Sequence, residues 1–219
     1  MFCLCPMDSK TKTIAVIVAH PDDETLWAGG TFLMNPGKQY FIASLCRKND
    51  PDRAPKFKKA LKALGATGIM GDLDDGSEQI PLTDERVETT IVDLLPAMSF
   101  DLVITHNIYG EYTRHRRHEE IGRAVINLWS SGRLLTRELW AFAFEDGGRV
   151  YYPGVMKDAE LLYRLPQTVW QKKYSIIREI YGFAEDSWEA QSTPKEEAFR
   201  RFYNTAEAKT WLDSAQNTL

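Results

Sequence analysis

The sequence is poor in the features that announce several protein classes. It holds three cysteines in 219 residues, Cys3, Cys5 and Cys46, an odd and scattered set that makes neither a disulfide framework nor a four-thiolate zinc site. No apolar run approaches the roughly 18 residues that a membrane span needs, and the opening MFCLCPM is too short for a signal-peptide core. A cytoplasmic location is therefore expected. The formal charge is only -4, and no long block of like charge offers a tail for a nucleic acid, so none is expected as a partner. A Gly-rich phosphate loop is also missing after the first apolar run, where three acids would repel phosphate.

What is present is an alternation of short apolar runs with longer amphipathic stretches. TIAVIVAH, QYFIASLC, TGIMGDL, FDLVITH and ELWAFAFED alternate with segments such as PKFKKALKALG and HEEIGRAVINLW. That βαβα order predicts an α/β, Rossmann-like three-layer sandwich, a mostly parallel sheet with helices on both faces. A single domain over 1–219 is expected, with 1–11 disordered and 147–167 loop-like. The stretches TVWQKKYSIIREIYG and PKEEAFRRFYN, within 168–204, read as two helices packed on the same core.

In such sheets ligands sit outside the carboxyl ends of the strands. The four histidines, His20, His106, His115 and His118, all fall at or just after two candidate central strands, TIAVIVA and FDLVI. If those strands are neighbours, the histidines converge on one edge. His20 and Asp23, separated by a proline turn, can aim at one point, the makings of a divalent-metal site. Asp22 then stands beside the metal without ligating it, where a general base for metal-bound water belongs. His115 and His118, three apart at a helix start, can share a face; one completes a His/Asp/His set and the other is free, and spacing does not say which. Taken alone, His106 reads as a structural, hydrogen-bonded histidine. The blander reading of the acids is that Asp22 or Asp23 caps the following helix with Glu24 in support. The basic string Arg114, Arg116, Arg117 and Arg123 reads as a solvated helix face or an anion contact.

The segments AHPDDE and THNIYGEYTRHRRH together resemble the PIG-L (LmbE-like) family of zinc-dependent de-N-acetylases. Gly29 and Gly30, the helix RAPKFKKALKALGA and the stretch DLDDG fall in that family's order, to about residue 146. The resemblance implies a Zn²⁺ ion, with Fe²⁺ or Co²⁺ as alternatives, held by His20, Asp23 and His118. It implies Asp22 as general base, a protonated His115 stabilising the tetrahedral intermediate, and Arg53 as a substrate-binding arginine. Two departures stand out: one residue is added between Tyr112 and His115, and Lys56 stands where the family often carries Glu. Asp75, with Asp74, is a candidate rim contact for sugar hydroxyls or else part of an acidic turn closed by Gly76. Arg47 is also placed to line the site. The expected activity is removal of acetyl from an N-acetylated amino sugar or glycoconjugate, with homo-oligomerisation left open. The competing readings are a metal amidase for another C–N bond, such as one in a thiol conjugate, and a non-catalytic metal- or ligand-binding module.

Overall fold

A computed structural model describes residues 7–8, 10–113 and 115–216. Five strands form its parallel part: β1 (Thr13–Val18), β2 (Gln39–Cys46), β3 (Thr67–Leu73), β4 (Leu102–Thr105) and β5 (Leu139–Phe142). They are linked by α1 (Asp23–Met34), α2 (Arg53–Leu64), α3 (Asp84–Leu94) and α4 (Arg116–Ser130). A two-stranded ribbon follows, β6 (Phe144–Glu145) with β7 (Gly154–Val155), and then β8 (Leu161–Arg164). Next come α5 (Gln167–Ser175), which runs into one π-helical turn at Ile176–Ile180, and α6 (Trp188–Ser192). The chain returns through β9 (Glu196–Phe202) and ends in α7 (Thr205–Gln216).

The main sheet has the order β3-β2-β1-β4-β5-β9-β8. β1 pairs in parallel with both β2 and β4, so the expected neighbours are neighbours, and strand order reverses between them. Alternation along β1 explains the three layers. Ile14, Val16 and Val18 pack with Trp27, Phe32 and Phe57 on one face. Ala15, Ile17 and Ala19 pack with Ile91, Ile121 and Leu212 on the other. A strand covered on both sides has no polar alternation to show, hence its unbroken apolar run.

Three expectations need correcting, two of them in the C-terminal part. The stretch PKEEAFRRFYN is not a helix; it supplies β9, antiparallel to both β5 and β8. Its apolar residues Ala198, Phe199 and Phe202 suit a helical period equally well, and pairing with β5 decides the outcome. The loop-like stretch 147–167 contains β7 and β8. At the other end, the expectation of disorder over 1–11 does not hold for Met7, which is buried with its N–H donating to Asn35 Oδ1 at 3.0 Å. Cys3 and Cys5 lie outside the described residues.

Behind the sheet edge, Glu197 of β9 anchors α1 and α5 together. Its carboxylate accepts from Gly30 N, Thr31 N, Thr31 Oγ1 and Lys173 Nζ at 2.6–2.8 Å, with both charged side chains fully buried. Gly30 suits that closeness: a Cβ there would meet two Leu165 side-chain carbons at 2.5 Å and Glu197 Oε1 at 3.0 Å, so those side chains would have to move.

Candidate metal centre

The turn after β1 carries the acids. Asp22 occupies the N-cap position of α1 but makes no capping bond with its side chain, so helix capping does not explain it. Its backbone sits at φ 126° and ψ -30°, a region that residues with a side chain rarely enter. Glu24 holds it there: fully buried, it accepts from Asp22 N at 3.0 Å, from Thr25 Oγ1 at 2.6 Å and from Tyr181 Oη at 2.8 Å. Tyr181 closes the π-helical turn, so the C-terminal part of the chain braces the acidic turn.

Three atoms form a tight triangle at the strand ends. His20 Nδ1 is 3.1 Å from Asp23 Oδ2 and 3.2 Å from His118 Nε2, and His118 Nε2 is 3.4 Å from Asp23 Oδ2. A tetrahedral ion with ligand bonds of roughly 2.0–2.2 Å spaces its ligand atoms about 3.3–3.6 Å apart, so the donor set fits such an ion. The far side of each imidazole is also backed by a carboxylate: Glu111 Oε2 lies 2.5 Å from His118 Nδ1, and Asp75 Oδ1 lies 3.1 Å from His20 Nε2. The first contact is a hydrogen bond; the second is close but poorly aligned for one. Carboxylates in these places orient metal-ligating histidines and raise their basicity.

Two overlapping groups of side chains lie close enough to share an ion: His20, His115 and His118, and Asp23, His106 and His118. His106 is disfavoured as a ligand by its own hydrogen bonds. Its Nε2 accepts from Ala19 N at 2.9 Å, so that lone pair is taken, while Nδ1 faces Glu111 Oε2 at 2.9 Å. It fixes the turn after β1 and shares Glu111 with His118. The expectation of a structural histidine agrees with this geometry, and Glu111, which joins the two rings, was the residue that sequence reasoning passed over. It lies inside the same GEY segment, where a buried acid five residues after one histidine and seven before another was the available signal.

Electrostatics separates the two adjacent acids. Burial and the charge of Asp23 push Asp22 well above the ordinary carboxylate pKa, against the opposing pull of Arg53, whose Nη1 donates to Asp22 Oδ2 at 3.0 Å. For Asp23 burial also opposes the charge, but His118 and His20 hold it well below the ordinary range. Glu111 is brought down to about 2 because His106 and His118 outweigh its burial. His115 stacks on His118 with ring centroids 4.4 Å apart, and its Nδ1 is buried without a partner. Burial, with His118 and His20 adding to it, pushes its pKa down to about 2. That direction favours a neutral His115 ring, whereas the resemblance implies a protonated one.

The structure brings His20, Asp22, Asp23, Arg47, Arg53 and His115 around one small cavity of about 150 Å³, with Tyr112 and Trp188 in its wall. Arg53 is also stacked on Phe183 at 4.5 Å. Asp75 sits beside this group, its carboxylate engaged by Arg47 Nε and Nη2 at 2.9 and 2.6 Å. Asp74 points away, with a side chain 57% exposed. Arg117, expected on a solvated face, is fully buried instead. Its Nε and Nη2 donate to the backbone carbonyls of Asp74 and Ile80, clamping the loop that presents Asp75.

The sheet order and this cluster define an α/β protein with His and Asp side chains close enough to hold a metal ion at its strand-order reversal. The PIG-L family model, described as GlcNAc-PI de-N-acetylase, matches residues 15–129, just over half of the 219-residue chain; the chain belongs to the PIG-L family. It is similar to an uncharacterized protein of Acanthamoeba polyphaga mimivirus, 21% identical over 176 residues, covering 74% of this chain and 75% of that one. Among solved structures it resembles the N,N'-diacetylchitobiose deacetylase of Pyrococcus horikoshii, with TM-score 0.67, 16% identity, and 92% and 88% of the two chains covered. A deacetylase of the teicoplanin biosynthetic pathway gives 0.58 at 14% identity, covering 87% of this chain and 96% of that one. A conserved protein of Thermus thermophilus gives 0.58 at 16%, covering 86% and 94%. At these identities the likenesses establish a shared fold. No helix among the described residues is long and apolar enough to cross a membrane.

Proposed function

We propose that the chain is a metal-dependent de-N-acetylase, with Zn²⁺ as the favoured ion, that removes acetyl from an N-acetylated amino sugar or glycoconjugate. We read it as one catalytic unit, since β9 and Tyr181 tie the C-terminal part to the sheet and to the acidic turn. The observation that carries this is the placement of Asp22, a buried carboxylate of raised pKa held at the edge of the His20, Asp23 and His118 triangle without belonging to it. The family match and the deacetylase folds support the same activity.

In this reading His20 Nδ1, Asp23 Oδ2 and His118 Nε2 hold the cation, with Asp75 and Glu111 orienting the two rings. A divalent cation held there would supply Lewis acidity and would lower the pKa of the attacking water. Asp22 accepts a proton from the attacking water and returns it to the amide nitrogen, so acetate and a free amine leave. A carboxyl group whose pKa is raised above that of an ordinary aspartate suits the return of the proton to the amide nitrogen. Arg53 fixes the orientation of Asp22 through its bond to Oδ2 and lines the cavity for substrate. A neutral His115, its second nitrogen free, donates a hydrogen bond to the carbonyl oxygen as charge grows there. Asp75 acts through His20, since its carboxylate is already committed to His20 and Arg47.

Acetate and amine release should be measured for N-acetylglucosamine derivatives and for acyl amides lacking a sugar, before and after chelation. Metal-dependent release from the sugars is expected. Release only from non-sugar amides would favour the alternative C–N hydrolase, and bound metal with no release from any of them would favour a binding module.

A further inference from the structure

We propose that Arg117 is a positioning residue of the metal centre: it fixes the loop after β3 so that Asp75 stands behind His20, and thereby sets how tightly the centre holds its cation. This rests on the metal-site part of the proposed function and extends it to a side chain that does not line the cavity. Arg117 immediately precedes the proposed ligand His118 in the first turn of α4, and its side chain is fully buried. Its Nε donates to Asp74 O, its Nη2 to Ile80 O at 2.6 Å, and its Nη1 pairs with Glu120 Oε2. Glu120 Oε1 in turn accepts from Leu82 N at 3.1 Å. The start of α4 thus carries one histidine of the triangle and grips the loop that backs the other.

The loop has little else to hold it. Its apolar residues Ile80 and Pro81 are both exposed, so packing against the core does not set its path. The two carbonyls that Arg117 engages bracket a working pair: Asp74 precedes Asp75, and Ile80 follows Gln79. Gln79 sits at φ 46°, a left-handed backbone that a residue with a side chain keeps only where its surroundings enforce it. From there its Nε2 donates to Asp75 Oδ1 at 3.1 Å, the same oxygen that lies 3.1 Å from His20 Nε2. Arg47, which holds Asp75 Oδ2, has a side chain 41% exposed, so the buried guanidinium is the firmer anchor. A buried charge is costly unless its donors are directed at acceptors. Only the planar fork of an arginine reaches two carbonyls and a carboxylate at once; a lysine ammonium on its flexible stem does not match it.

Metal-free protein should be titrated with Zn²⁺ against a chromophoric chelator, in wild type and in variants. Arg117→Gln and Asp75→Asn are each expected to weaken Zn²⁺ binding about tenfold or more, the scale for partners behind a metal-ligating histidine. Because the arginine acts through Asp75, Arg117→Gln should add less than about threefold in the Asp75→Asn background. It should keep its full effect in Glu111→Gln, where the other ring loses its support. A general loosening of the fold would shift all backgrounds alike. Arg117→Lys should also bind weakly, since it retains the charge and loses the fork. Wild-type affinity in Arg117→Gln, Arg117→Lys or Asp75→Asn, a full further loss on top of Asp75→Asn, or an effect that vanishes in Glu111→Gln overturns the proposal. So does failure of both Arg117 variants to fold by far-UV circular dichroism, which would make the residue part of the fold and not of the site. Absence of Zn²⁺ binding by wild type overturns the metal-centre reading itself. Binding that follows the expected pattern with no amide hydrolysed leaves the positioning role standing and removes only the activity.

Discussion

Glu24 accepts the backbone N–H of Asp22 at 3.0 Å, holding that residue at a φ of 126°. A side chain at such a φ is strained by about 1–3 kcal/mol, and strain of this kind gathers at functional sites. Asp22→Gly is therefore expected to fold more stably than Asp22→Ala by about that amount, since glycine accepts the conformation freely. Urea unfolding of the two apo variants, compared with each other, checks this. Equal midpoints would show that the turn is not strained.

The ligand triangle predicts a split between binding and catalysis. His118→Ala should lose the metal. Glu111→Gln, which leaves His118 in place but weakens its orienting bond, should bind metal about 10- to 100-fold more weakly. Competition with a chromophoric chelator reads both affinities. Undiminished binding in Glu111→Gln would mean that His118 needs no support from behind.

The Lys173 and Glu197 pair predicts a large single-mutant effect remote from the site. Glu197→Ala leaves a buried ammonium, two backbone N–H groups and the Thr31 hydroxyl without their acceptor, and should cost about 3–5 kcal/mol. Lys173→Met combined with Glu197→Gln should cost less than Glu197→Ala alone. Chemical denaturation distinguishes the two orders.

Asp101 gives a pH dependence with a definite sign. Hydrogen bonds from Lys12 N and Thr13 N, at 2.8 and 3.0 Å, lower its pKa below the ordinary 3.8. A carboxylate lowered on folding contributes stability that is complete above its unfolded pKa and is lost as pH falls through its folded one. Wild type should therefore be more stable than Asp101→Asn at pH 7, and the gap should close once pH drops below the aspartate range. A gap that stays constant into strong acid would contradict this.

Much of the parallel sheet was legible because TIAVIVA and FDLVI are buried on both faces and carry no polar alternation. The convergence of His20 and His118 followed from the ends of those two strands, which proved to be neighbours. β9 was not legible, since Ala198, Phe199 and Phe202 fit either period and their partner strand lies far away in sequence. The role of Glu24 was half legible. Its place in the first turn suggested a helix start, but its bond to Tyr181 spans 157 residues and no local pattern reports it. Arg117 was misjudged for the same reason: its acceptors are carbonyls of a loop some forty residues earlier, and backbone acceptors leave no mark in composition.

The central claim is that Asp22 moves the proton while its neighbours hold the ion. The most direct measurement is acetate release from an N-acetylated amino sugar by Asp22→Asn protein, purified without chelator and matched to wild type in metal content. A loss of roughly 10²- to 10⁴-fold in rate with metal retained is the predicted result. Turnover at the wild-type rate with a full complement of metal would contradict it.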